Sequence, residues 1–208
     1  MKLGVLNYGA GNVGSVLNSL SAISVDAKVI SEPKEIATLD ALVVPGVGAF
    51  SKAINNLRAS GLDRAIVEFV KDGGYYLGIC LGLQILFEES LEFEKSEGLK
   101  LIKGKVIKLP DSQKLPHIGW NSVKILKKSL LFEGIEDLSY FYFVHSYRAN
   151  TSKEHVIATS FYGEEFPSAI EKDNIFAVQF HPEKSDIKGL KLLKNFVEIA
   201  LAKALHSS

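Results

Sequence analysis

Two hydrophobic rhythms alternate through the first half of the chain. Lys2–Asn7 is a strand-like apolar run, after which Val13, Val16, Leu17 and Leu20 recur at three-and-four spacing and predict a helix. Lys28–Ser31 reads as a second strand. Ala41–Val44 reads as a third, a continuous apolar stretch suited to burial on both faces. Ala53, Leu57, Ile66, Phe69 and Val70 belong to one helical stretch, or to two broken at Gly61. The run Tyr75–Ile79 is again strand-like, and a helix is predicted from Leu81 to about Ser90. This βαβαβ order predicts a parallel sheet with helices on both faces and right-handed crossovers.

The second half changes character. Leu101–Leu109, Ser122–Leu126, Tyr140–Tyr147, Val156–Phe161, Ala169–Glu171 and Ile175–Phe180 are short runs rich in Val, Ile, Phe and Tyr, which predict antiparallel strands and hairpins. A last amphipathic helix carries Leu190, Leu193, Val197, Ala200 and Leu201 on one face, with Lys and Glu opposite. Neither a Pro/Gly/Ser-rich linker nor an internal repeat interrupts the pattern, so residues 1–208 are expected to form a single α/β domain with a mixed central sheet.

Composition narrows the function classes. Among 208 residues, 47% are apolar and 23% charged, the balance of a soluble globular protein. Lys plus Arg equals Asp plus Glu at 24 each, so the chain as a whole offers no electrostatic case for nucleic acid or an anionic membrane. The N-terminal residues meet Asn and several Gly before any sustained apolar run and do not read as a secretory signal. The longest apolar stretch, Tyr75 to Leu86, is interrupted by Gln84 and too short for a bilayer. A cytoplasmic protein without cofactor or metal is expected. Cys80 is the only cysteine, which excludes an intrachain disulfide and disfavours a Cys-based zinc site.

That lone thiol sits in Gly78-Ile79-Cys80-Leu81-Gly82, where a buried strand is predicted to pass into a helix. G-x-C-x-G is the thiol counterpart of the G-x-S-x-G nucleophile elbow. A sharp strand-to-helix turn holds the nucleophile in a strained backbone region, and small residues two positions away on each side leave room for it. The helix N-terminus favours a thiolate, and the Leu81 backbone N–H points where an oxyanion would form. A lone buried cysteine is often simple core filler. A core junction has no need of two glycines placed symmetrically about a thiol.

A thiolate nucleophile needs a base and a group to orient it. Of the five histidines, His181 begins His181-Pro182-Glu183 directly after the strand Ile175–Phe180. Pro182 disfavours the α region for His181, and an extended segment sets imidazole and carboxylate on one side, so that Glu183 holds one ring nitrogen and the other faces Cys80. His145 is the rival base. It lies in the aromatic strand Phe141–His145 without an acidic neighbour in sequence, the setting of a packed or hydrogen-bonded structural histidine.

Two glycine-rich loops follow strands. Pro45-Gly46-Val47-Gly48-Ala49-Phe50 lets a backbone amide turn toward a neighbouring site, as a second oxyanion donor requires, although a plain β–α turn has the same sequence. Gly9-Ala10-Gly11-Asn12-Val13-Gly14 matches G-x-G-x-x-G, with Glu32 after the second strand as a ribose ligand, so a dinucleotide-binding domain is the rival from another class. Against it, a nicotinamide enzyme has no use for the cysteine elbow and the His-Pro-Glu segment together.

Gly78–Gln84 and Phe180-His181-Pro182-Glu183 resemble the class I (triad) glutamine amidotransferases. Asn7–Asn12, Pro45–Phe50, Pro116-His117-Ile118-Gly119-Trp120-Asn121, Phe143–Tyr147 and Gln179–Ser185 are most similar to the branch that forms the glutaminase subunit of imidazole glycerol phosphate synthase. The resemblance implies a flavodoxin-like amidotransferase fold and hydrolysis of glutamine to glutamate and ammonia through a cysteinyl thioester. It implies Cys80 as nucleophile, His181 as acid and base, and Glu183 as the group orienting His181. Leu81 and the Val47–Gly48 backbone would be the oxyanion donors, and Gly48, Gln84, Ser146 and Tyr147 would hold the glutamine. The ammonia would pass to a separate cyclase, which in this family is a (β/α)8 barrel, docked at Asn12, Trp120 and Lys184. A core role for Trp120 is equally open. Uncoupled hydrolysis would waste glutamine, so low activity alone and activation by the partner's substrate are expected. The alternatives are a glutaminase serving another synthase of the class, or a silent regulatory chain using the fold for binding. Tyr75-Tyr76 is a bulkier entry to its strand than relatives commonly have, and is expected to bear on packing alone.

Overall fold

In the computed structural model, which describes residues 1–206, the predicted βαβαβ half begins with β1 (Leu3–Leu6), α1 (Val13–Ala22), β2 (Lys28–Ile30), the one-turn helix α2 (Pro33–Ile36) and β3 (Ala41–Gly46). Two helices follow, α3 (Phe50–Ser60) and α4 (Leu62–Lys71), parted by Gly61 at a left-handed φ of 74°. The strand β4 (Tyr75–Cys80) then leads into α5 (Leu81–Gln84). The helix predicted to reach Ser90 stops after this single turn. Phe87–Ser90 is instead a strand, β5, because its backbone pairs with the strand at Ile102.

The remaining strands are β6 (Ser96–Glu97), β7 (Ile102–Lys108), β8 (His117–Ile125), β9 (Ser139–His145), β10 (Tyr147–Asn150), β11 (Val156–Tyr162), β12 (Glu164–Lys172) and β13 (Ile175–Val178), before the helix α6 (Asp186–His206). The single run predicted at Tyr140–Tyr147 divides into β9 and β10 at Ser146, and β8 and β12 extend well beyond their predicted cores. Leu201, predicted on the buried face of the last helix, is exposed, whereas Leu192 and Phe196 are buried there.

A nine-stranded sheet runs β2-β1-β3-β4-β13-β12-β11-β8-β9. Its first five strands are parallel and the rest antiparallel. A smaller sheet, β10-β7-β5-β6, stands beside it. Strand alternation builds two cores. Val5, Val43, Leu77, Ile79 and Val178 face a cluster that includes Val16 and Leu20 of α1 and Leu193 and Phe196 of α6. Leu6, Leu42, Val44, Tyr76 and Ala177 face one built with Leu57 of α3 and Ile66 of α4. Both faces are therefore covered, as the continuous apolar run Ala41–Val44 required. Among the described residues, no helix is long and apolar enough to cross a membrane.

β1 lies between β2 and β3, so the strand order reverses there and the loops leaving the C-terminal ends of β1 and β3 diverge. Such a reversal opens a crevice at the carboxyl edge of a parallel sheet. The loops 7–12 and 46–50 and the turn at Cys80 all leave that edge.

Candidate active site

Cys80 ends β4 with φ 54° and ψ −106°, a left-handed backbone that a β-strand cannot continue. The flanking glycines are explained by contact. A Cβ at Gly78 would sit 2.4 Å from the Gly82 carbonyl oxygen, and one at Gly82 would sit 1.8 Å from that of Val44. The turn therefore closes only with both side chains missing. Tyr76 adds a prop that the sequence did not suggest: its buried hydroxyl donates to the Gly82 carbonyl at 2.7 Å, so the bulky strand entry supports the elbow as well as filling the core. With α5 reduced to one turn, the helix macrodipole contributes less to a thiolate than the predicted ten-residue helix would. Leu81 still opens a helical turn, where its N–H has no intrahelical acceptor.

His181 is extended, at φ −102° and ψ 95°, as a residue before proline should be. Its main chain is pinned by N–H donation to the Tyr142 carbonyl at 2.8 Å and by the Ser185 hydroxyl, which donates to its carbonyl at 2.6 Å. Imidazole Nδ1 and Glu183 Oε1 are 2.8 Å apart, with both side chains 1% exposed. Nε2 makes no hydrogen bond of good geometry and is left for the sulfur side. Burial opposes protonation of His181, but the nearby Cys80 and the Glu183 carboxylate outweigh it and raise its pKa to about 10. The charge on sulfur is what favours the imidazolium, so Cys80 and His181 form one coupled pair in which the proton rests on the ring whenever the sulfur is a thiolate.

A cavity of about 480 Å³ opens on Cys80. Leu81, Val47, Gly48, Gln84, Ser146 and Tyr147, each singled out from sequence, all line it. His181 and Glu183 stand behind the sulfur, outside the lining. Asn12, Trp120 and Lys184 lie away from the cavity. Trp120 is 48% exposed, which excludes a core role, and its indole meets the Tyr142 ring edge-on at 6.1 Å. Lys184 Nζ lies 5.9 Å from the centre of the same ring. Asn12 precedes α1, which packs against the turn at Pro182–Lys184.

One expectation is corrected in this conformation. The Val47 N–H donates to the Ala10 carbonyl at 3.0 Å, so it is not presented to the cavity as an oxyanion donor. The same bond accounts for the G-x-G-x-x-G loop. A Cβ at Gly11 would stand 3.1 Å from the Pro45 carbonyl oxygen and Gly9 takes φ 80°, so two of the three glycines are set by the turn and its packing against the end of β3, while Gly14 meets nothing. The dinucleotide reading of that motif loses its basis.

His145, the rival base, has both ring nitrogens engaged, one near the Tyr147 carbonyl at 2.9 Å and the other near His117 at 3.0 Å. Three polar residues escaped the sequence reading. Gln179, fully buried, donates from Nε2 to Cys80 Sγ at 3.6 Å, while Glu92 and Lys108 are the charged side chains lining the cavity. Gln179 directly precedes the Phe180–Glu183 segment, and that adjacency was its one available signal. Among the described residues, no cluster of His, Cys, Asp and Glu has the makings of a metal site.

The model of the class-I glutamine amidotransferase family matches residues 4–200. A protein of Methanocaldococcus jannaschii named imidazole glycerol phosphate synthase subunit HisH is 50% identical over 199 residues, covering 95% of this chain and 99% of that one. A protein of the same name from Caldanaerobacter subterraneus is 48% identical over 198 residues, with 95% and 98% covered. A solved glutamine amidotransferase superposes with a TM-score of 0.75 at 20% identity, covering 96% and 99% of the two chains. A putative GMP synthase protein from Thermoplasma acidophilum superposes with a TM-score of 0.75 at 21% identity, with 100% and 98% covered. At those identities the structural likeness speaks for the fold alone.

Proposed function

The chain belongs to the class-I glutamine amidotransferases, and from that premise we propose that it hydrolyses L-glutamine to glutamate and ammonia as the glutaminase subunit of imidazole glycerol phosphate synthase, in histidine biosynthesis. The observation that carries the reading is the meeting of a strained cysteine elbow, open to the cavity, with a buried His181–Glu183 pair behind its sulfur. Glu92 and Lys108 in that wall carry the two signs that the ammonium and carboxylate of a free amino acid would meet, with Lys108 also paired with Asp111 and Glu92 also accepting the Phe50 N–H at 2.7 Å.

The chemistry follows from those positions. Cys80 Sγ attacks the side-chain amide carbon of glutamine, and the carbonyl oxygen becomes an oxyanion facing the Leu81 N–H. The His181 imidazolium gives its Nε2 proton to the departing nitrogen, which leaves as ammonia, and a γ-glutamyl thioester remains on Cys80. Neutral His181 then takes a proton from water, whose oxygen attacks the thioester carbon. Collapse of the second oxyanion releases glutamate and returns the proton and the thiolate. Glu183 keeps the ring oriented and stabilises its charged form throughout. Acid quenching during turnover, followed by peptide mass spectrometry, is expected to find a γ-glutamyl adduct on the peptide bearing Cys80. Turnover with an adduct elsewhere, or with none under conditions that trap thioesters, would sink the mechanism.

The partner that uses the ammonia is, by the same family likeness, a (β/α)8-barrel cyclase forming a heterodimer with this chain. Its docking face is proposed at Trp120, Asn12 and Lys184. The support is an outward apolar surface on β8 and β9, where Ile118, Trp120 and Tyr140 are exposed, next to Tyr142 and Lys184. Trp120→Ala is expected to weaken the heterodimer by about 2 kcal/mol, roughly thirtyfold in Kd. It should leave the thermal midpoint of the isolated chain nearly unchanged, because the indole is half-exposed. Titration calorimetry giving an unaltered Kd would remove Trp120 from the interface.

A further inference from the structure

Beside the cavity runs a chain of hydrogen-bonded polar groups, from half-buried Asn121 through buried His117 and His145, that the reaction above does not use. It starts at Asn121, whose Oδ1 accepts the Ser122 N–H at 2.8 Å and whose Nδ2 donates to the Phe161 carbonyl at 2.9 Å. Two backbone groups thus fix which end of the amide is which. The same Nδ2 reaches His117 Nε2 at 3.3 Å, so that nitrogen must accept and the proton of His117 must sit on Nδ1. His117 Nδ1 lies 3.0 Å from His145 Nε2, which therefore accepts as well. The proton of His145 is left on Nδ1, 2.9 Å from the Tyr147 carbonyl, and a carbonyl can only accept. Reasoning from the carbonyl end gives the same two tautomers. The chain has one polarity from end to end, and it requires both rings to be neutral. Burial favours that form, lowering the pKa of His117 to about 4 and that of His145 to about 3.

The Tyr147 carbonyl also accepts from Gln84 Nε2 at 2.9 Å. Gln84 Nε2 donates in addition to Gln179 Oε1 at 3.2 Å, and Gln179 Nε2 donates to the Cys80 sulfur. With its nitrogen held from two sides, Gln84 has only Oε1 to offer the cavity that it lines. We propose that the His117–His145 pair is a positioning device for the substrate, a single-tautomer relay that fixes the Tyr147 carbonyl and, through it, the orientation of the Gln84 amide toward the glutamine. The proposal rests on the glutaminase reading and assigns roles within that site. His117 is the more telling member. It is buried, lies outside the cavity lining, and stacks on Tyr162 at 4.0 Å and Phe143 at 5.0 Å, so any influence on substrate passes through the relay.

His117→Phe keeps the stacking and deletes both hydrogen bonds, whereas His117→Asn returns an N–H donor close to the Nδ1 position. Glutamate release is measured on the heterodimer with the cyclase's nucleotide ligand bound. His117→Phe is expected to raise KM for glutamine about tenfold with kcat within about twofold, and His117→Asn to recover most of the loss. Nitrogen-15 NMR of the wild-type imidazoles at neutral pH gives a readout independent of turnover. Both rings are expected as the Nδ1–H tautomer, the minor form of free histidine. An unchanged KM in an active His117→Phe complex overturns the proposal and leaves the glutaminase reading standing. So does a fall in kcat alone that Asn does not rescue, or an Nε2–H tautomer at either ring. A wild-type complex that releases no glutamate overturns the glutaminase reading and takes the proposal with it.

Discussion

Cys80→Ala is expected to lower glutamate release by the liganded heterodimer at least about 10⁴-fold, the scale on which nucleophile removal acts when triad members work as a unit. The size follows from the site. The sulfur is the group that forms the thioester, and its loss also removes one of the interactions holding the proton on His181. What remains is a bound glutamine with an oxyanion donor and nothing to attack it. Folding should hardly notice. Ala fits the 54° φ of residue 80 as well as Cys does, and the space between Gly78 and Gly82 is untouched. Circular dichroism and the thermal midpoint should therefore match wild type, and heterodimer affinity with them, since Cys80 is 6% exposed and lines the cavity. A Cys80→Ala complex as active as wild type would place the chemistry elsewhere and return the alternative of a silent regulatory chain.

The parts of this site that were legible in the sequence are those whose geometry is local. Gly78, Cys80 and Gly82 announce an elbow because five consecutive residues contain the whole steric problem, and the structure resolves it through contacts of Gly78 and Gly82 with backbone oxygens. His181, Pro182 and Glu183 are equally self-contained, and the ring and carboxylate meet at 2.8 Å. Long-range partners left no such trace. Gln179 touches Cys80 across 99 positions, and Gln84 touches Tyr147 across 63. The sheet order, which brings β13 beside β4, joins the first pair, and the smaller sheet carries Tyr147 on β10 to the second. The fold reading failed for the same reason at Leu81–Ser90. The local apolar pattern permits a helix there, but pairing with β7 wins from Phe87 onward. His145 has both ring nitrogens engaged, and the partner of one became visible only when β8 laid His117 opposite it in register.

The second large effect concerns the Val47 amide. Its N–H is held by the Ala10 carbonyl at 3.0 Å, so of the backbone groups proposed as oxyanion donors Val47 N–H is occupied. Removing one such donor typically costs 10²–10³ in kcat. The isolated chain is therefore expected to hydrolyse glutamine about 10²- to 10³-fold more slowly than the heterodimer carrying its nucleotide ligand, with the difference in kcat rather than KM. The coupling has a short physical route. Ala10 belongs to the loop 7–12 that leads to Asn12 and α1, and α1 packs against the turn holding Lys184, so a partner seated on that face bears on the acceptor that now occupies Val47. The Val47 N–H belongs to the Gly46–Val47 peptide, and Gly48 just beyond it has φ 102° and open space where a Cβ would be, which gives the loop the slack for that peptide to turn once Ala10 lets go. Because the effect is placed in kcat and not in binding, linkage requires no reciprocal tightening, and calorimetry on the Cys80→Ala complex should find the nucleotide's affinity little changed by glutamine. Activation within a few-fold, or activation entirely in KM, would mean that the Val47 amide is not the element the partner moves. The rate-limiting deficit of the isolated chain would then lie in how glutamine is held.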